Sequence, residues 1–232
     1  MRKLPIGTLF AACGIAALAY TIMPPSVRAD APTRALPPPA VDVSPSGAGL
    51  QTAVFAGGCF WGVQGVFEHI KGVTRAVSGY AGGSVTSPGY EQVSSGRTGH
   101  AESVSVTFDP SQVSYGTLLR IFFSVALDPT EVNRQGPDSG MQYRSELFVS
   151  GSEQELVARA YVAQLEAAHA FSRPIATRIS VAGAFYPAEA YHQDYLLHHP
   201  DSAYIAMFDL PKVRRLEVLF PENWRGTAVT VR

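Results

Sequence analysis

Between residues 102 and 108 polar and apolar side chains alternate without a break: Val104, Val106 and Phe108 fall on one side, Ser103, Ser105 and Thr107 on the other. A period of two predicts a strand with one buried face, and Glu102 falls on the buried side. Upstream the period changes. From Cys59 onward Phe60, Val63, Phe67 and Ile70 recur at helical spacing, after a short apolar strand at Thr52–Ala56 that Gly57-Gly58 breaks. Val73 to Tyr80 reads as a strand ending in the turn residues Ala81-Gly82-Gly83, and Ser114 to Ala126 as an amphipathic helix. Leu147 to Val149 lies in a short strand, and Ser152 with Glu155 forms a capping box that opens a long helix to about Ala168. A strand at Ala176–Val181 and a helix around Ala188–His198 follow, with one more short helix between Met207 and Trp224. This mixture predicts an α+β fold, a two-layer α/β sandwich with a mixed sheet around a ferredoxin-like core.

The flanks read differently. Arg2 and Lys3 precede an almost wholly apolar run from Leu4 to Met23, and Val27-Arg28-Ala29 supplies small residues where a signal peptidase reads. Residues 1–29 are therefore expected to be a signal peptide cleaved after Ala29, giving an exported, periplasmic protein. The alternatives are an uncleaved helix that anchors the chain in the membrane and lipidation at Cys13. Residues 30–50, rich in Pro, Ala, Ser and Gly, read as a flexible linker. One domain is expected over 51–224, followed by a short tail at 225–232.

Charge narrows the classes. Eighteen basic against nineteen acidic residues give a net charge of −1, no electrostatic reason for a nucleic acid partner. The run Lys212, Arg214, Arg215 reads as one solvated face of a helix. Nothing in the sequence requires more than a monomer. Of two cysteines, Cys13 lies in the leader, so the mature chain keeps only Cys59. An unpaired thiol in an exported protein is either buried and inert or present for its chemistry.

Placement of Cys59 at a strand-to-helix junction leaves both readings open: free N–H groups and the helix dipole stabilise a thiolate there, while free cysteine is also among the most buried residue types. Glu102 at the edge of a buried strand face is expected to hold its proton above the usual carboxylate range, as a general acid would. The opposing reading is a Glu at a strand end turned back into water. A metal site at His192, His198 and His199 lacks the i, i+4 spacing of a zinc helix. His100-Ala101-Glu102 lacks the P-C-x-x-C that zinc deaminases add.

The motifs GGCFWG (57–62), GYAGG (79–83), GHAE (99–102), FDP (108–110), DPT (128–130), NRQG (133–136), QYRS (142–145) and AEAYHQDYL (188–196) occur in this order. Together they resemble the peptide methionine sulfoxide reductase A family over roughly Thr52–Leu197. The resemblance implies that Cys59 attacks the sulfoxide sulfur and Glu102 protonates the oxygen, with Tyr80 and Tyr143 hydrogen-bonding that oxygen. It further implies that Asp138 holds the polar side of the site and that Phe60 and Trp61 cradle the methyl group. The substrates implied are oxidised proteins and peptides or free methionine sulfoxide, as the S epimer, with no cofactor and no metal. Leu127 stands where the family commonly has His. The C-terminal region lacks the resolving cysteines of many members, which implies an external thiol reductant, thioredoxin-like or small. A thiol peroxidase and a non-catalytic reader of oxidised methionine are the rival readings.

Overall fold

The computed structural model describes residues 34–42 and 49–231. Along the chain run β1 (Gln51–Gly57), α1 (Phe60–Glu68), β2 (Val73–Ala81), α2 (Tyr90–Ser94), β3 (Ala101–Phe108) and α3 (Tyr115–Ile121). A two-residue hairpin of β4 (Arg134–Gln135) and β5 (Asp138–Ser139) precedes β6 (Ser145–Val149) and α4 (Ser152–Ala167). Then come β7 (Arg178–Val181), β8 (Phe185–Pro187), α5 (Tyr195–His198) and α6 (Leu210–Leu219). Six strands form one sheet in the order β7-β6-β1-β3-β2-β8, in which β6–β7 is the parallel pair. Its centre, β6-β1-β3-β2, joined by α1 and α3 crossovers, is the expected ferredoxin-like core of a mixed α+β sandwich.

The alternation read in β3 holds: Val104, Val106 and Phe108 join the main core with α1 and α3, and Glu102 lies buried at the start of that strand. Phe55 of β1 anchors the layer interface, its ring 4.6 Å from Phe67 and 5.2 Å from Phe122. Such aromatic clusters combine a large buried area with favourable edge contacts. Phe122–Ala126 widens α3 into a π-helical turn that seats Phe122 and Phe123 in the core.

Four expectations are corrected. Residues 34–42 of the predicted linker are fixed on the domain. Leu36 is buried, its N–H bonds Ser124 Oγ at 3.1 Å, and its carbonyl accepts from Arg120 Nε at 2.7 Å. The Pro37 carbonyl accepts from the Tyr161 hydroxyl at 2.9 Å, so an extended segment without internal bonds borrows partners from α3 and α4. Replacing Leu36 with Ala is expected to lower unfolding stability by about 2–3 kcal/mol in a urea titration, the scale of a buried Leu truncation; no change in midpoint would return the segment to a loose linker. The helix expected to start with a Ser152 cap is instead capped at Gly151, with no side-chain cap bond. Gln154 Oε1 takes the Ser150 N–H at 3.0 Å, and Glu153 and Glu155 face the positive end of the dipole. The helix expected over 188–198 is broken at Asp194, whose φ is 53°. That carboxylate accepts the Val231 N–H at 3.1 Å, one of the contacts that pin residues 225–231 onto the domain expected to end at 224. The others are Arg225 N–H to the His69 carbonyl at 2.9 Å and Val229 N–H to the Glu68 carbonyl at 3.0 Å. The predicted leader, residues 1–29, lies outside the described residues.

Candidate active site

Two close approaches set the position of Cys59. At Gly58 (φ +91°) a Cβ would stand 2.5 Å from Gln135 Cβ, so only glycine lets β1 turn into α1 here. At Gly62, a Cβ would overlap the Asp209 carboxylate, so the bare backbone of the first turn of α1 admits that acid. Between them Cys59 caps α1 and is 8% exposed.

The next residue ties the thiol to the acid. Phe60 N–H donates to Glu102 Oε2 at 3.0 Å, while Oε1 has no partner among the described residues. Burial pushes the Glu102 carboxyl up to about 8; the Phe60 N–H opposes this, and Asp138 and Asp209 add to it. Glu102 is therefore a neutral acid at pH 7. Cys59 differs from the sequence expectation. Its thiol is raised well above its ordinary value by burial, then by Glu102, Asp209 and Asp138, with only the Trp61 N–H lowering it. One amide does not outweigh burial among three carboxyl groups, so the resting sulfur carries its proton.

Phe60 and Trp61 form the expected aromatic wall. Trp61 lies flat on Tyr195, centroids 3.8 Å apart, and its indole Nε1–H donates to His192 Nδ1 at 3.2 Å. His192 is buried, and that burial lowers its pKa to about 4, so it stays a neutral acceptor. The Phe60 ring lies 5.1 Å from His192 and 5.9 Å from Tyr80.

The tyrosines divide. The Tyr143 phenol is raised by burial and then by the charges of Glu102, Cys59, Asp138 and Tyr90. Tyr80 pairs with Glu102 across the β2–β3 ladder, but its hydroxyl donates to Glu189 Oε2 at 2.9 Å. That bond engages its one hydroxyl proton. Glu189 also accepts the Tyr90 N–H at 2.9 Å, which orients the start of α2 beside His192 (ring centroids 4.4 Å apart). Asp138, on β5, accepts a hydrogen bond from the Tyr204 hydroxyl, and burial raises its pKa.

A cleft of about 490 Å³ opens on Cys59, with Asp138, Leu127 and Tyr204 on its walls and Lys212 and Arg215 of α6 facing it. Of the basic run expected to be solvated, Lys212 and Arg215 therefore face this cleft, while Arg214 is exposed. Lys212 Nζ bonds Asp209 Oδ1 at 3.0 Å, and Asp209 is fully buried. Burial works against the Lys212 charge, yet Asp209, then Cys59 and Asp138, hold its pKa above the ordinary value. Asp209, Lys212, Tyr204 and His192 were missed as site residues. Each belongs to a segment with no strong period, and only the fold carries it to Cys59.

A single buried thiol beside a neutral carboxylic acid and an aromatic wall, set at the mouth of a cleft, defines a thiol-dependent oxidoreductase site on an α+β scaffold. A family model for peptide methionine sulfoxide reductase matches residues 51–223. The chain is 57% identical over 183 residues to a peptide methionine sulfoxide reductase of Mesorhizobium japonicum, covering 79% of this chain and 94% of that protein. It is 48% identical over 179 residues to one of Deinococcus radiodurans, covering 77% and 86%. Among solved structures it resembles methionine sulfoxide reductase A of Corynebacterium diphtheriae (TM-score 0.56, 34% identity, 67% of this chain and 77% of that one). Mxr1 of Saccharomyces cerevisiae in reduced form is similar (TM-score 0.57, 35% identity, 68% and 90%). This chain belongs to the peptide methionine sulfoxide reductase family.

Proposed function

We propose that this protein reduces the S epimer of methionine sulfoxide in proteins and peptides, and as the free amino acid, with Cys59 as nucleophile and Glu102 as proton donor. The carrying observation is the 3.0 Å bond from Phe60 N–H to Glu102 Oε2, which fixes a neutral acid beside the sulfur and leaves Oε1 to bear the proton. In this reading Glu102 gives its proton to the sulfoxide oxygen as Cys59 attacks, and the resulting carboxylate takes the thiol proton. One sulfur–oxygen bond breaks at methionine and one forms at Cys59, so the products are methionine and a Cys59 sulfenic acid, with Glu102 protonated again. Tyr143 supports the oxygen, while Phe60 and Trp61 accept the methyl group.

No cysteine occurs in residues 60–232, and the stretch through Tyr204, α6 and Val231 is packed on α1 without a thiol. An external thiol therefore condenses with the sulfenic acid, releasing water and leaving a mixed disulfide. A second thiol then frees Cys59. A thioredoxin-like protein or a small thiol fits this role, and the leader-like sequence of residues 1–29 supports a periplasmic site for the reaction.

With dithiothreitol as reductant, the S epimer of a methionine sulfoxide peptide is expected to be consumed and the R epimer left. Equal loss of both epimers, or turnover of hydrogen peroxide alone, would overturn the reading.

A further inference from the structure

Of the two described cations that line the cleft beside Cys59, one has no charged partner. The cleft's other charged groups are engaged within the protein. Asp128 accepts from Thr130 N–H at 2.9 Å and pairs with Arg173 at 3.3 Å; Asp138 is bonded by Tyr204; Lys212 is paired with Asp209. Arg215, three residues beyond Lys212 on α6, is half-buried at the cleft wall. Its side chain has no hydrogen bond or ion pair among the described residues. Burial lowers its pKa, and no neighbouring anion offsets the effect. A guanidinium has five N–H donors in a planar fork matched to a carboxylate, and leaving it part-desolvated and unpaired costs free energy. The walls of the same cleft also carry Met207, Phe208 and Pro211, apolar surface on which a peptide backbone can lie. A volume of about 490 Å³ lies within the range of ligand pockets and exceeds what a sulfoxide group alone would fill.

We propose that Arg215 is a specificity determinant: it binds the carboxylate of an acidic residue flanking the oxidised methionine, so this reductase prefers acidic segments of oxidised proteins. The inference rests on the reading of Cys59 as a methionine sulfoxide reductase centre and adds a substrate class to it. A carboxylate also ends free methionine sulfoxide, and the test separates the two sources.

Capped peptides that place Glu, Gln or Lys one or two positions to either side of the S-sulfoxide are compared with free methionine sulfoxide and its amide, using dithiothreitol. For the wild type, kcat/KM is expected to be higher for the best Glu peptide than for its Gln counterpart by roughly fivefold, the scale of one ion pair at a partly exposed site. The difference should lie in KM and shrink as salt is added. Within Arg215→Gln the Glu-to-Gln ratio is expected to fall to one, within Arg215→Glu to favour the Lys peptide, and within Arg215→Lys to recover in part. Because each ratio is taken inside one variant, a general loss of activity cancels. Equal kcat/KM for Glu, Gln and Lys peptides in the wild type sinks the subsite and leaves the reductase reading standing. An Arg215 effect confined to free methionine sulfoxide against its amide assigns the carboxylate to the substrate itself and overturns the flanking-residue preference. No reduction of any sulfoxide would overturn the activity beneath both.

Discussion

Cys59→Ser is expected to abolish methionine sulfoxide reduction, with kcat lowered on the order of 10⁴-fold or more, as loss of a nucleophile does in other covalent enzymes. Serine fills nearly the same volume at a position only 8% exposed, so the fold should survive. Unfolding midpoints in urea should differ from wild type by no more than about 1 kcal/mol in stability. What disappears is the atom that receives oxygen. A hydroxyl does not pass through the sulfenic acid from which an external thiol regenerates the enzyme. Cys59 is also the only cysteine among the described residues, so none of them offers a second thiol. Mass spectrometry after one turnover without reductant should find wild type heavier by one oxygen at Cys59 and the variant unchanged. Undiminished repair by Cys59→Ser, with either oxidation pattern, would remove the basis of the proposed mechanism.

The sequence made the scaffold legible where a short period met a buried face. In β3 the alternation placed Glu102 beside Val104 and Val106, and the buried carboxyl sits there with its pKa raised. The glycines flanking Cys59 likewise marked a junction. Elsewhere the controlling interactions are remote in sequence and leave no local signature. Residues 34–42 look like a linker because an extended proline-rich stretch has no internal bonds; their partners are Arg120, Ser124 and Tyr161, more than eighty residues away. Lys212 looked solvated because charges on helices generally are. Its environment depends on Gly62, where the missing side chain makes room for Asp209, and nothing near residue 212 announces that glycine. The thiol reading failed through magnitude. Helix-terminal amides do favour a thiolate, but at Cys59 burial and the facing carboxyl groups outweigh the one amide that reaches the sulfur. Tyr80 shows a third kind of limit: the direction of its hydroxyl depends on Glu189, which comes 109 residues later.

Glu102→Gln is expected to slow catalysis and quicken alkylation of the same thiol. Gln is nearly isosteric, and its Oε1 can still accept the Phe60 N–H that holds residue 102 in place. It has no proton to give and cannot take one back, so kcat should fall about 10²- to 10³-fold with KM little changed, the usual range for a lost general acid. The pH dependence carries the sign. Wild-type Glu102 is protonated below about 8 and loses its proton above it. Single-turnover reduction should therefore be level below that pH and fall above it by about tenfold per unit. In the variant this alkaline limb should vanish. Burial is the first cause of the raised thiol, and the Glu102 charge is the second, so removing that charge lets Cys59 ionise more easily. Iodoacetamide should thus label Cys59 faster in the variant than in wild type at a pH above 8, where wild-type Glu102 is an anion. A residue that merely shaped the pocket would move both rates in the same direction. If labelling and reduction both slow in Glu102→Gln, or if the alkaline limb persists, the proton donor is some other group, and Tyr143 becomes the next phenol to replace.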